Sequence, residues 1–243
     1  MRRVGLEFQE NTKYVRGRSL EGYPSAQVAA YKTYDNAAVV NLPEPKIDGG
    51  RFLWKLLAKR RTIRKYLQEP VTLEELSQLL WATQGITERK PGGEFRVAPS
   101  AGALYPVETY LFARNVVDLD PGVYHYNVKA HVLESLKNAD LSESLRSACM
   151  DQNMVTKAGV TFVWSAVFAR SRNKYKDRAY RYIYMDVGHI AQNLQLGAES
   201  LGLGCCLIGA FYDDEVNRLL DLDGEDESII YIATVGRIPP AAA

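Results

Sequence analysis

Lys174 and Tyr175 set an ammonium beside a phenol within RNKYKDRAYRYIYMDVGH (172–189). A phenol ionises near ~10 on its own, and a neighbouring ammonium favours the phenolate, so such a pair can accept or deliver a proton. From Arg170 to Arg181 six basic residues face one acid, Asp177. A solvated helix face would have the same composition, so the segment poses two readings: a charged surface or the rim of a reaction site.

A second basic stretch, RFLWKLLAKRRTIRKY (51–66), holds seven basic residues and no acid. Guanidinium groups match phosphate oxygens through paired hydrogen bonds, so Arg60, Arg61 and Arg64 around Thr62 could hold a phosphate dianion; a solvated helix end is the alternative. VAPSAGALYP (97–106) packs Pro99, Ser100, Ala101 and Gly102 into a run of small side chains that would let a flat ligand approach the main chain. Tight helix packing would explain the same residues. GLGCCLIGAF (202–211), with Ile208, Gly209 and Ala210, allows the same two readings. It does not form a dinucleotide-binding fingerprint, because strand, helix and acidic partner do not fall in order.

The elements that must position these groups follow from periodicity and end signals. Thr72 opens a capping box with Glu75, and Leu76, Leu79, Leu80 and Thr83 continue at helical spacing to Gly85. FLWKLLAKR reads as helix, and residues 86–99 as a surface loop around PGG. ETYLFAR (108–114) reads as a buried strand, GVYHYNV and HVLESL as a hairpin, LSESLRSACM as a helix, and VTFVWSAVFA (160–169) as a strand feeding the basic-tyrosine segment. The run from Val187 to Leu201 carries little charge and is expected to be a helix buried on most sides, with Asp186 as its N-cap and His189 as a hydrogen-bonded core residue. CCLIGAF and SIIYIATVG are the last strands. They flank a helix starting near Asp213 and an acidic loop that reads as solvated. Tyr180, Arg181 and Tyr182 read as packing and surface residues.

Strands and helices mix without regular alternation, which predicts one α+β domain: an extended N-terminal arm over residues 1–50 and a core over 51–237. With 47% hydrophobic residues the chain can bury a core, and thirty basic against twenty-nine acidic residues leave a net charge of +1. No global field favours nucleic acid or an anionic membrane, and no apolar run approaches a membrane span. A cytoplasmic protein is the expectation. Cys149, Cys205 and Cys206 suggest reduced core thiols rather than disulfides, and three dispersed histidines give no metal-ligand spacing.

Taken in order, RRTIR, PSAGALYP with ETYLFAR behind it, GVYHYN, KYKDRAYRY with DVGHIAQNLQL, and LIGAF resemble the SagB-type dehydrogenases of the FMN-dependent nitroreductase superfamily. PSAGALYP and GHIAQN are specific to this branch; RRTIR alone would fit any nitroreductase. The resemblance implies an α+β, nitroreductase-like fold with a mainly antiparallel central sheet flanked by helices, dimerising with FMN at the subunit interface. It implies that Arg60, Arg61, Thr62 and Arg64 reach the FMN phosphate and pyrimidine edge. Pro99, Ser100, Ala101 and Gly102 would approach the flavin from the second subunit, Ile208, Gly209 and Ala210 would pass the ring, and Arg237 would sit at the phosphate.

Lys174 and Tyr175 match the Lys-Tyr pair that azoline oxidases of this branch use in catalysis. Ordinary nitroreductases often carry Asn where this chain has Ala103, and Glu-Gly where it has Gly209 and Ala210, so both departures suit the SagB branch. A third departure is Lys176, which stands where the branch usually has Gly. The implied activity is oxidation of a thiazoline or oxazoline on a peptide or small molecule, with dioxygen reoxidising the flavin. The alternatives are an NAD(P)H-dependent nitro, quinone or enone reductase, and a flavin-binding scaffold that supports partner proteins in a modification complex.

Overall fold

The computed structural model describes residues 3–17, 19, 20, 22 and 24–239. Its centre is a seven-stranded sheet in the order β1-β6-β5-β4-β7-β9-β8. These strands are β1 (Ala38–Asn41), β4 (Val107–Ala113), β5 (Gly122–Asn127), β6 (Val132–Lys137), β7 (Val160–Val167), β8 (Leu203–Ile208) and β9 (Glu227–Arg237). Every pairing in this sheet is antiparallel. β4 is buried along its whole length and β7 nearly so, because both faces of the sheet are covered. Leu111, Phe162 and Trp164 pack on one side, with α3 (Leu73–Gln84) and α6 (Ala179–Leu201). Tyr110, Phe112 and Val163 pack on the other, with α4 (Ser142–Ala148) and α7 (Asp213–Leu219).

The expected helix start at Thr72 is present: Glu75 N donates to Thr72 Oγ1 at 3.2 Å, and Thr72 N donates to Glu75 Oε2 at 2.9 Å. α2 (Leu53–Lys59) and α5 (Phe168–Tyr175) are short. α6 spans 23 residues and ends on Gly202 in the left-handed conformation, φ 75°.

Several expectations change. Residues 86–99 are no plain loop: β2 (Ile86–Lys90) and β3 (Gly93–Arg96) form a hairpin turned at Gly92, φ 95°. Its strands are largely exposed, so no apolar alternation announced them. The first fifty residues are extended only in part, since Val4–Asn11 is helix α1 and β1 adds an edge strand against β6. Helix α6 begins seven residues before Asp186, which is therefore a buried mid-helix residue and not an N-cap. The opposite side of the helix is open: Tyr184, Met185, Gly188 and His189 are exposed, which corrects both the expectation of burial on most sides and that of a core histidine.

All three cysteines are free and buried. Among the described residues no helix is long and apolar enough to cross a membrane, and no cluster of potential metal ligands occurs.

Candidate active site

The small-residue loop is held from inside helix α6. Ser100 Oγ donates to Asp186 Oδ2 at 2.6 Å and accepts from Tyr105 N at 3.0 Å, while Ala101 N reaches Asp186 Oδ1 at 3.2 Å. Burial pushes the Asp186 carboxyl up, and the bonds from Ser100 and Ala101 oppose that shift only in part. The loop itself is contorted: Gly102, Ala103 and Tyr105 have φ of 66°, 53° and 46°. Two of these are not glycine, so their neighbours must hold them in place. Tyr105 Oη accepts from Arg96 N at 3.1 Å, the Arg96 guanidinium stacks 4.6 Å from the Tyr105 ring, and Tyr105 O accepts from Arg170 at 3.2 Å.

Gly102 faces the Lys-Tyr pair. A Cβ at this position would lie 2.5 Å from Tyr175 Oη and 2.8 Å from Lys174 Nζ. The phenol and the ammonium therefore converge on one point of bare backbone, which only glycine leaves open. Lys174 is exposed and Tyr175 half-buried, its ring 4.7 Å from that of Tyr182 in an edge-on contact. Lys174 Nζ stands 5.3 Å from the Tyr175 ring centroid. Tyr180 packs on Phe168, as a packing residue would.

The second group lies along the outer edge of β8. Thr62 bridges Cys205 in parallel register, and Ile63 N donates to Cys205 O at 3.0 Å, so residues 60–64 follow that edge. Arg61 donates to the carbonyls of Ala58 and Arg60. Among the described residues Arg60, Arg61 and Arg64 have no carboxylate within 4.0 Å, although exposed arginines elsewhere in the chain have found one. Gly209 and Ala210 are exposed, and a Cβ on Gly209 would meet nothing closer than 3.9 Å. Guanidiniums without a carboxylate partner alongside β8, the strand that leads to this open end, suit a phosphate-bearing planar group. Cys205 and Cys206 do not compete for that chemistry, since burial pushes both thiols up despite the nearby arginines.

Arg237 departs from the expectation. Its guanidinium grips both Glu75 oxygens at 2.8 Å and also donates to Pro70 O at 2.9 Å, so its fork is committed to the start of α3 and not left for a phosphate.

Within one chain the two groups belong to different strands of the sheet. β4, where the Ser100 loop is anchored, and β8 are three strand spacings apart, about 14 Å at the usual separation. Other residues at the site gave only a weak signal in the sequence. Arg170, Glu108, His125 and Glu134 form a buried chain: Arg170 to Glu108 at 2.6 Å, Glu108 to His125 at 3.1 Å, and His125 to Glu134 at 2.8 Å. Isolated charges inside apolar strands were its only trace.

An antiparallel sheet of this order, with a contorted small-residue loop facing Lys-Tyr and arginines without a carboxylate partner alongside its edge strand, defines an α+β scaffold with a candidate anion site. The sequence matches the nitroreductase family over residues 57–237, and the chain belongs to that family of flavin-dependent oxidoreductases. The protein MJ1384 of Methanocaldococcus jannaschii, named as a nitroreductase, is 38% identical over 75% of this chain and 89% of its own length. The microcin B17-processing protein McbC of Escherichia coli is 31% identical over 55% of this chain and 51% of its own length.

Among solved structures, a nitroreductase from Anabaena variabilis superposes with a TM-score of 0.76 at 31% identity, covering 95% of this chain and 45% of that one. A chain of the E. coli microcin synthetase McbBCD complex with truncated pro-MccB17 bound gives 0.63 at 21% identity, covering 96% and 87%, and shares the fold. This chain spans about half the length of McbC and of the Anabaena protein. The likeness to a microcin-processing protein agrees with the SagB-type branch read from the motifs.

Proposed function

We propose that the protein is an FMN-dependent dehydrogenase that oxidises a thiazoline or oxazoline ring to the azole. The observation that carries this reading is the convergence of Lys174 Nζ and Tyr175 Oη on Gly102. Aromatising the ring removes one proton and one hydride from adjacent ring positions. FMN, when bound, supplies the hydride acceptor. The proton needs a base within hydrogen-bond reach, and the phenolate form of the tyrosine, with the ammonium beside it to favour that form, can take it up and pass it on to solvent. Asp186 would act through Ser100 and Ala101, fixing the loop against which the ring lies.

In this reading Arg60, Arg61 and Arg64 hold the FMN phosphate, with Thr62 beside them. Ile208, Gly209 and Ala210 border the flavin, and Pro99, Ser100, Ala101 and Gly102 reach it from a second copy of the chain. The separation of β4 and β8 supports a site shared between two copies, as do the exposed apolar residues Leu53, Trp54 and Leu57 of α2 and, elsewhere on the surface, Tyr184 and Met185 of α6. Arg237 has no part in phosphate binding here, because Glu75 holds it. Dioxygen would accept the electrons, and three free thiols suit the reducing cytoplasm. The microcin synthetase likeness supports a modified peptide as substrate and partner proteins around it.

A second reading, reduction of nitro, quinone or enone compounds by NAD(P)H, is favoured by the match to MJ1384, which covers most of that protein. The test is the absorption spectrum of the purified protein, identification of the released chromophore, and anaerobic mixing with an azoline-bearing peptide. Released FMN that the azoline bleaches supports the proposal. Bleaching by NAD(P)H alone moves the assignment to the reductase, and FMN that neither compound reduces moves it to a scaffold.

A further inference from the structure

Lys176 follows the Lys-Tyr pair with φ 52° and ψ −141°, backbone space that glycine occupies freely and a lysine does not. Such a conformation persists only where the surroundings impose it. What surrounds it is the N-terminal arm. Gly22 lies so close that a Cβ there would stand 2.6 Å from Lys176 Cβ. One turn back along α5, the Asn173 amide takes both backbone groups of Ala26: Ala26 N donates to Oδ1 at 2.9 Å, and Nδ2 donates to Ala26 O at 2.7 Å. One turn further, Arg170 Nε donates to Ala29 O at 2.8 Å.

Residues 170, 173 and 176 thus meet arm residues 29, 26 and 22 in antiparallel order. The pair of interest leaves the same short helix toward Gly102. Helix α5 has eight residues, too few to hold itself in water. It packs against α6, and the arm and the small-residue loop hold it as well. Both ends of the arm are tied down: Thr12 O and Oγ1 accept from Arg178 and Arg181, and Lys32 reaches Glu227 at 2.6 Å and Tyr110 Oη at 2.7 Å.

We propose that the arm is a brace that positions Lys174 and Tyr175, with Asn173 and the turn at Lys176 as its points of attachment. The contacts use arm backbone almost throughout, so the arm's register matters more than its side chains. Asn173 and Lys176 are positioning residues, since they act through α5. The inference rests on Lys174 and Tyr175 being the catalytic pair, but its test does not need turnover.

The experiment measures amide hydrogen exchange over residues 168–178, and the rate at which an amine-reactive reagent labels Lys174, in full-length wild-type protein, Asn173→Ala, Asn173→Asp, Gly22→Ala and Gly22→Ala/Lys176→Gly. Asn173→Ala and Gly22→Ala are expected to speed exchange and labelling by about tenfold, while Asn173→Asp, which keeps the acceptor for Ala26 N, falls between. Lys176→Gly in the Gly22→Ala background removes the colliding Cβ and the strained residue together, and is expected to restore both rates.

Where an azoline is turned over, kcat should fall by about tenfold or more in Asn173→Ala at unchanged KM. Unchanged exchange and labelling in both Asn173→Ala and Gly22→Ala would overturn the brace, as would failure of Lys176→Gly to rescue. A brace response without azoline turnover would keep the brace and remove the azoline reading.

Discussion

The two basic stretches look alike in sequence and behave oppositely in the fold. Between Arg170 and Arg181 the arginines are taken. Arg170 is buried on Glu108 and two carbonyls, Arg178 holds Tyr182 Oη and Thr12 O, and Arg181 holds Thr12 Oγ1 and Gln9 O. These charges build the scaffold that carries Lys174 and Tyr175. Around Thr62, Arg60, Arg61 and Arg64 meet no carboxylate among the described residues and lie alongside β8 at Cys205. A run of positive charge says little about function by itself. Whether the chain supplies its own anion separates a structural arginine from one kept for a ligand.

The contrast breaks most sharply at Arg170. Removing it leaves Glu108 buried without its cationic partner, so Arg170→Ala should cost about 3–5 kcal/mol in urea unfolding. A loss below 1 kcal/mol would show that the buried chain does not depend on this charge.

Arg64→Ala should do the reverse. It is expected to leave urea unfolding of the flavin-free protein within about 0.5 kcal/mol of wild type. FMN affinity should weaken by about 1.5–3 kcal/mol, the worth of a hydrogen bond to a charged group, and the effect should shrink at high salt. Fluorescence titration with FMN measures it, and equal affinity in the variant would place the phosphate elsewhere.

The pH dependence of stability sharpens the structural half. Burial pushes the Glu108 carboxyl up, but the bond from His125 and the Arg170 charge prevail and hold it below its ordinary 4.5. Its contribution is full above 4.5 and lost as pH falls below that value. Burial pulls His125 down, but Glu108 and Glu134 prevail and raise it above its ordinary 6.5. That contribution is full below 6.5 and fades as pH rises through the elevated value. Urea midpoints across pH should therefore peak between these limits. His125→Gln should flatten the alkaline limb, and an unaltered limb would show that the imidazole does not titrate with unfolding.

The smallest effect is expected at Arg181, whose bonds tie the exposed helix α1 to α6. Arg181→Ala should cost about 0.5–1.5 kcal/mol and free residues 4–11 to exchange, leaving FMN affinity alone. Weakened flavin binding here would erase the distinction between the two stretches.

Much of the architecture was legible because local chemistry and tertiary position agree. The Thr72 capping box, the doubly buried strands β4 and β7, the β5–β6 hairpin and the three buried thiols all follow from residue type and spacing. The misreadings share a physical cause. Asp186 looks like an N-cap because a carboxylate preceding an apolar run usually is one. Its true partner, Ser100, lies 86 residues away and leaves no local trace. The motif resemblance alone sets Arg237 at a phosphate, while its fork grips Glu75, the same carboxylate that closes the capping box. His189 looked like a core residue because its helix is poor in charge, and only the packed fold reveals which face stays open. At Lys176 the motif departs from glycine while the backbone keeps a glycine-like conformation, and residue type alone did not reveal that the arm meets it there.

In the proposed reaction Lys174 and Tyr175 handle the proton of an azoline oxidation. Anaerobic single-turnover mixing of the FMN-loaded protein with an azoline-bearing peptide, followed by the flavin absorption, tests it most directly. Bleaching is expected in the wild-type protein without NAD(P)H, and in Lys174→Ala a rate lower by about 10²–10⁴-fold with FMN still bound. Equal bleaching rates in the two proteins, or a flavin that only NAD(P)H reduces, would contradict it.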